Sequence, residues 1–240
     1  ARSGPRLMSS ATSVLARIRG SMRSAIGDVT FGLADGAVSV TGLVFGVAAG
    51  THDGSIVVLA GAAGAVAGAV SMMAGRFMDV QSVEQREQAQ LARERAAIEA
   101  APEEYIVRAS ARLRSVGFNA DEAGLVTEVL SRHPEALVDH VAAYELGIAG
   151  RPERAPWVHA VWMFVAVLLA SSVPILPFAL LPMSTARVVA LVVTGALMAV
   201  LGIARGRLGG VNVWWSAVQT MAIAGAAALA GVLIAAVLPA

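Results

Sequence analysis

The stretch Val29 to Ala49, VTFGLADGAVSVTGLVFGVAA, decides how this chain must fold, because it carries a single charge, Asp35. A membrane-spanning helix needs about 20 apolar residues, and this stretch is long enough. A charged side chain at that depth costs about 2.5 to 3.5 kcal/mol on insertion scales, so it normally faces a cavity or a cation pathway. The alternative is a turn at Asp35-Gly36 with a helix beginning at Ala37, but the 13 residues from there to Ala49 are too few for a span. We therefore expect Asp35 to lie within the membrane.

Composition supports the same class. The chain is 57% hydrophobic and only 15% charged, with a mean hydropathy of +0.69, which is too apolar for a soluble domain of 240 residues. Four further charge-free runs follow the first, namely Ser55–Gly75, Ala155–Ala186, Val188–Ala204 and Leu208–Ala240. The sequence therefore predicts an all-α integral membrane protein with five transmembrane helices.

The second and third runs are separated by a long segment that holds most of the charge, which we interpret as a helical insert between transmembrane helices 2 and 3. Turn residues divide it at 117–119 and at His133-Pro134. The predicted insert helices are the extension of the second span to Ala100, then Glu103–Val116, Ala120–Ser131 and Pro134–Leu146. The resulting division is an N-terminal segment (1–27), helices 1 and 2 (28–78), the insert (79–154) and helices 3 to 5 (155–240).

Orientation is predicted by the basic residues, which are all arginine apart from four histidines. Five arginines precede the first span, ten lie in the insert region from Arg76 to Arg154, and two, Arg205 and Arg207, separate the last two spans. Only Arg187 falls on the opposite side. This positive-inside pattern predicts a cytosolic N-terminus and insert and an external C-terminus. The arginine-rich, lysine-free composition suggests a bacterial protein, hence a plasma membrane location, and the net charge of +1 gives no support for nucleic-acid binding.

Several side chains accompany Asp35 in the predicted pathway. Asp28 lies two helical turns before it, near the cytosolic mouth, and Ser39 lies one turn after it. The second span supplies Met72 and Met73, whose thioethers are soft ligands that suit a transition metal better than sodium or calcium. Packing against lipid or other helices is the more ordinary role of such methionines. We hypothesise that Asp35 binds a transported cation and that Met72 tunes its selectivity.

Two sequence segments resemble the vacuolar iron transporter family. They are GDVTFGLADGAVSVTGLVFGVAAG, with Asp28, Phe31-Gly32 and Asp35-Gly36, and AGAVAGAVSMMAGRFMDVQS, with Ala67-Gly68-Ala69, Ser71-Met72 and Gly75. The resemblance continues through QLARER, Pro134–Leu137, Tyr144–Gly147 and the three C-terminal spans, so it covers nearly the whole chain from residue 24.

This resemblance implies a homodimer of five-helix subunits in the lipid bilayer that exports Fe2+, and often Mn2+, from the cytosol in exchange for protons. It places Asp35 and Met72 in the pathway and Asp28 near its entrance. The metal is then a transported substrate, and no permanently bound cofactor is expected. Two positions depart from the family pattern: Gly64 and Arg76 stand where some members carry glutamate.

In the insert, the resemblance implies glutamates and methionines that collect metal ions. Here only Glu94 and Glu145 match, whereas Ala97, Tyr105, Arg108, Val141 and Ala142 occupy other positions of that cluster. Glu94 and Glu145 could bind one divalent ion, helped by Glu87 or His140, or they could be ordinary solvated charges. We interpret Glu84, Glu99, Glu103 and Glu104 as solvated helix faces.

Three functional classes therefore remain open. The first is a proton-coupled divalent metal exporter. The second is a transporter of the same fold with a changed, anionic or chelated substrate, and the third is a membrane scaffold whose insert binds a partner. An enzyme is not expected, because the four histidines are scattered and the chain contains no cysteine.

Overall fold

The computed structural model describes residues 19–147 and 155–237, and these residues form helices joined by short turns. The first 18 residues of the predicted N-terminal segment and the end of the predicted insert, residues 148–154, lie outside the described part. After a helical turn at residues 19–24, the helices in chain order are α1 (Ile26–Gly50), α2 (Gly54–Ala100), α3 (Pro102–Ser115), α4 (Ala120–Arg132), α5 (Pro134–Tyr144), α6 (Pro156–Leu180), α7 (Met183–Leu208) and α8 (Val213–Val237).

Five helices, α1, α2, α6, α7 and α8, are long and apolar enough to cross a membrane, which confirms the predicted number of spans. Helix α1 runs through Asp35 without interruption, so the alternative of a turn at the membrane edge is wrong. The apolar run that ends at Ala186 is divided at Pro182, where the backbone is extended before α7 begins. Pro174 and Pro177 lie inside α6, which continues past both to Leu180.

The membrane helices belong to one compact unit formed by the described parts of residues 1–78 and 156–240. Glycines let α1 approach its neighbours at backbone distance. A Cβ atom on Gly36 would lie 2.6 Å from the carbonyl oxygen of Val167 on α6, and one on Gly46 would lie 3.0 Å from the carbonyl oxygen of Gly231 on α8. Small residues at such crossings allow close helix packing in a membrane. Helix α1 is therefore held between α6 and α8.

Arg187 fixes the far end of α1. From α7, its guanidinium donates hydrogen bonds to the carbonyl oxygens of Ala48 and Thr51, the latter at 3.2 Å. The last carbonyls of a helix have no partner within the helix, and a cation there also interacts favourably with the helix dipole. The single arginine predicted on this side of the membrane thus caps a transmembrane helix.

Residues 79–155 form a second compact unit, described as far as residue 147 and again at Ala155, which contains the end of α2 and the helices α3 to α5. Their bounds lie within two residues of the predicted insert helices. A capping box begins α4, in which the Asn119 side chain accepts from the Glu122 amide and Glu122 accepts from the Asn119 amide. The core of this unit consists of Ile98, Tyr105, Leu137, Val138 and Val141.

Candidate functional site

Asp35 lines an open cavity of about 770 Å³ between α1, α7 and α8. Most of the lining is apolar, and its polar side chains come from Thr30 and Asp35 on α1, Arg205 on α7 and Thr220 on α8. Within the described part of the chain, no side chain donates a hydrogen bond or an ion pair to the Asp35 carboxylate. The structure therefore places the Asp35 carboxylate, partway along α1, at the wall of this cavity.

Ser39, predicted one turn from Asp35, does not reach that carboxylate. Its hydroxyl instead donates to the backbone carbonyl oxygen of Asp35 at 2.8 Å, which is a common arrangement for serine within a helix. The Ser39 side chain is exposed on the outer surface of α1. The Ser39 hydroxyl is thus engaged with its own helix.

Met72 lies at a different place from Asp35, because the Asp35 cavity has no lining residue from α2. Met72 packs against a cluster formed by Ala69, Met163 and Val167. The Met163 sulfur also lies close to α1, 3.0 Å from the position that a Cβ atom on Gly32 would take. The neighbouring Met73 is half-buried. The structure thus brings Met72 together with a second thioether, that of Met163, rather than with Asp35.

Asp28 is also separated from Asp35, although the two lie seven residues apart on the same helix. One Asp28 carboxylate oxygen lies 2.6 Å from Nε of Arg76 on α2, and the other lies 2.5 Å from Nδ1 of His159 on α6. Asp28 is buried, with 7% of its surface exposed. Sequence reasoning placed Asp28 near the pathway entrance but missed His159, which is 131 residues away in the chain.

In the insert, Glu94 is held by a tyrosine. The Tyr105 hydroxyl donates to a Glu94 carboxylate oxygen at 2.8 Å, and the Tyr105 ring is buried. Because the carboxylate accepts the phenolic proton, this hydrogen bond raises the pKa of Tyr105 above its ordinary value, and burial adds to the rise. Glu94 therefore has a fixed partner within the insert.

Glu145 is held by an arginine from a different helix. The Arg108 guanidinium forms an ion pair with the Glu145 carboxylate and also lies over the Tyr105 ring, 4.6 Å from its centroid. The four side chains of Glu94, Tyr105, Arg108 and Glu145 thus form a connected array in which Arg108 supplies the positive charge. We name this set the insert array.

His140 has a different neighbour. His140 stacks on Tyr144, with ring centroids 4.7 Å apart, and burial lowers the pKa of His140 while the nearby Glu145 opposes the shift. Glu99, Glu103 and Glu104 are exposed, as expected for solvated faces. Among the residues that the structure describes, no three histidine or acidic side chains converge as they would in a metal cluster.

Comparisons with a family model and with individual known proteins point to the same family. The model of the VIT family matches residues 26–236. The chain is 29% identical to "Vacuolar iron transporter" of Centaurea cyanus over 58% of each protein, and 29% identical to "Vacuolar iron transporter 1" of Arabidopsis thaliana over 64% of this chain and 63% of that protein. It is 31% identical to "Vacuolar iron transporter 1" of Eucalyptus grandis over 58% of this chain and 57% of that protein.

These alignments span less than two thirds of the length of each relative, whereas the family match extends from the first membrane helix to the last. The membrane helices and the segments that carry Asp28, Asp35 and Met72 all fall within that match. The chain belongs to the VIT family.

Proposed function

We propose that this chain transports a divalent metal ion, Fe2+ and also Mn2+, out of the cytosol through the Asp35 cavity. The observation that carries the proposal concerns the Asp35 carboxylate. It belongs to a membrane helix, lines the cavity, and has no ion-pair partner among the described residues. A carboxylate in this setting is stabilised when a cation enters the cavity. The relatives named as vacuolar iron transporters support iron as the cation.

Protons are the proposed counter-substrate, and a homodimer in the plasma membrane of a bacterium is the proposed assembly. The cytosolic placement of the N-terminus and insert, and the external C-terminus, is supported by the arginine distribution of the sequence. The Asp35 cavity is lined by the beginning of α1, the end of α7 and residues of α8, so it lies toward the side that we assign to the cytosol. Metal ions would therefore enter it from the cytosol.

Met72 is proposed to tune selectivity together with Met163. Thioether sulfur is a soft ligand that favours Fe2+ over hard cations such as Mg2+ and Ca2+. The two methionines lie in one cluster that also contacts α1, the helix of Asp35. Replacing Met72 by leucine keeps most of the volume and removes the sulfur. We expect Met72→Leu to lower the ratio of Fe2+ flux to Mg2+ flux while leaving the protein folded.

Metal uptake into proteoliposomes tests the transport proposal. Flux of Fe2+, Mn2+, Co2+ and Zn2+ would be measured with a pH gradient across the membrane for wild type, Asp35→Ala and the matched control Asp53→Ala. Asp53 is an exposed carboxylate between α1 and α2 whose acceptor contacts are with Ser55. We expect Asp35→Ala to remove flux and Asp53→Ala to retain it. Equal flux in wild type and Asp35→Ala would contradict the proposal.

One observation favours a second function, a transporter of the same fold with an anionic or chelated substrate. Arg205 lines the same cavity as Asp35, so the cavity offers a positive as well as a negative side chain. A metal complex with a carboxylate chelator would interact with both. Flux of Fe2+ only when citrate is present would favour this function, whereas no flux of any metal in either form would favour the scaffold.

A further inference from the structure

The cluster of Asp28, Arg76 and His159 lies where α1, α2 and α6 meet and lines no part of the Asp35 cavity. Asp28 is in the first turn of α1 and His159 is in the first turn of α6, so the cluster lies at one edge of the membrane unit. The side chains of Asp28 and His159 are 9% and 14% exposed. The two groups are therefore shielded but remain within reach of water.

The chemistry of this contact determines which histidine nitrogen holds a proton. Both Asp28 oxygens are engaged, one with Arg76 and the other with Nδ1 of His159 at 2.5 Å. An ionised carboxylate only accepts hydrogen bonds, so Nδ1 must carry the hydrogen in this contact. The second nitrogen, Nε2, is then left without a hydrogen in the neutral ring. Histidine is the side chain whose charge ordinarily changes near neutral pH.

We propose that Nε2 of His159 is a proton-binding site, set in its tautomer by Asp28, and that it is the group that exchanges protons during metal transport. The second half of this statement rests on the proposed transport function. Protonation of Nε2 adds one positive charge to this shielded cluster.

Among the described residues, few helices place other charged side chains near His159. Helix α6 has no other titratable residue between Pro156 and Leu180. Helix α1 contributes Asp28, and α2 contributes Arg76, with Asp79 three residues further along. Among the described residues, Asp28 therefore contacts the His159 ring directly, and Arg76 contacts the same carboxylate.

Two other neighbours carry arginines. The segment before α1 contacts α6 through the hydrogen bond from Trp162 Nε1 to Ser21 Oγ at 3.0 Å, and its Arg19 and Arg23 are exposed to solvent. Helix α7 also packs on α6, and its three charged residues lie at its ends. Arg187 bonds the far end of α1, Arg205 lines the Asp35 cavity, and Arg207 is exposed.

Exchange of metal for protons follows from the spacing of the two sites. Asp28 and Asp35 are seven residues apart on one helix, which corresponds to about 10 Å along its axis. A divalent cation at Asp35 and a proton held by the pair of Asp28 and His159 repel each other across this separation. Binding of one therefore favours release of the other, which is the reciprocal linkage that antiport requires.

Nitrogen NMR of the purified full chain tests the proton site without any transport measurement. The chain has only four histidines, so 15N-histidine labelling gives few signals, and His159 is assigned by its loss in His159→Gln. We expect the neutral His159 ring to carry its hydrogen on Nδ1, the tautomer that is less common in free histidine. In Asp28→Asn we expect this preference to be lost.

If His159→Gln fails to fold, the assignment is made by elimination with His52→Gln, His133→Gln and His140→Gln. A wild-type His159 with its hydrogen on Nε2, or a ring that is doubly protonated from about pH 5 to about pH 8, the range in which histidine ordinarily titrates, would overturn the proton site. An Asp28→Asn variant with an unchanged His159 tautomer would overturn the role of Asp28.

Flux measurements test the role in transport. The readout is the ratio of Fe2+ flux with a pH gradient to Fe2+ flux without one. We expect this ratio to fall to about one in His159→Gln, because the proton-motive contribution to transport disappears with its proton carrier. The control His52→Gln, at an exposed position between α1 and α2, keeps the wild-type ratio.

A wild-type ratio in His159→Gln would overturn the exchange role of this residue. Absence of metal flux in wild type would overturn the proposed transport function instead, and the exchange role with it, while the NMR result alone would decide whether His159 is a proton-binding site. The two failures are therefore distinguishable.

Discussion

The membrane unit and the insert differ in the partners that they give to their carboxylates. Asp35 faces an open cavity, and the described residues give its carboxylate no donor or cation. In the insert, Glu94 accepts from Tyr105 and Glu145 pairs with Arg108. Residue type alone would assign all three to metal binding. Of these three carboxylates, Asp35 has no hydrogen-bond donor or ion-pair partner among the described residues, which supports our proposal that it binds a mobile cation.

The difference lies in where the positive charge comes from. Arg108 brings a permanent charge to the insert array, so a metal ion would have to displace a guanidinium that already pairs with Glu145 and lies over an aromatic ring. In the Asp35 cavity, Arg205 is a lining residue but makes no ion pair with Asp35, and on our proposal a mobile ion compensates the charge of the carboxylate. The carboxylates of the insert array thus have fixed partners, whereas Asp35 has none among the described residues.

The largest expected effect is on metal flux, when the same change, a carboxylate to an amide, is made in the membrane unit and in the insert. We expect Asp35→Asn to reduce Fe2+ flux by about 100-fold or more, equivalent to about 2.8 kcal/mol at about 1.4 kcal/mol per factor of ten. Glu145→Gln should leave flux within about twofold, because a partly exposed ion pair contributes about 0 to 1 kcal/mol to stability and none of this array faces the cavity. Proteoliposome flux at several metal concentrations measures both.

The contrast between the regions fails if the order of these effects is reversed. A large rise in the metal concentration needed for half-maximal flux in Glu145→Gln or Glu94→Gln would mean that the insert delivers metal ions despite its internal partners. The same experiment on Arg108→Gln indicates whether freeing Glu145 creates a binding site, since that variant removes the competing cation.

The architecture followed from the sequence because its signals are local. Length and apolarity identified five spans, and turn residues located the insert helices to within two residues. The candidate site could be predicted only in part. Asp35 could be identified from the sequence because it is an isolated charge in an apolar stretch. The two partners of Asp28, Arg76 and His159, lie 48 and 131 residues away in the chain, and no sequence pattern indicates that they contact one carboxylate. Met163 gave no signal in a uniformly apolar helix.

The second expected effect concerns how the membrane unit is assembled. The insert helices pack through their side chains, whereas the backbones of α1 and α6 approach each other closely at Gly36. Gly36→Ala would place a Cβ atom 2.6 Å from the Val167 carbonyl oxygen, so the helices must separate. Overpacking of this kind costs about 1 to 3 kcal/mol. We expect a lower thermal unfolding temperature in detergent.

Gly68→Ala is the matched control, because nothing lies within 4 Å of the Cβ atom that it adds on α2. Alanine favours a helix over glycine by about 0.8 to 1 kcal/mol, so this variant should unfold at an equal or higher temperature than wild type. Equal destabilisation by the two substitutions would mean that the close contact between α1 and α6 is not what holds α1 in place.

The smallest expected effect is a pH dependence confined to the insert. Burial lowers the pKa of His140 below its value in the unfolded chain, where an ordinary histidine titrates at about 6.5. As the pH falls below that value, the unfolded chain binds a proton before the folded chain does. The stability that His140 contributes is therefore present above about pH 6.5 and is lost as the pH falls toward the lower, folded-state pKa.

Thermal unfolding of the full chain at about pH 7.5 and about pH 5.5, on either side of the ordinary histidine range, measures this contribution. We expect His140→Gln to reduce the drop in unfolding temperature between the two pH values, since glutamine does not titrate. His133→Gln is the control, because His133 is exposed. An identical pH dependence in wild type and His140→Gln would mean that His140 does not contribute to the pH dependence of stability.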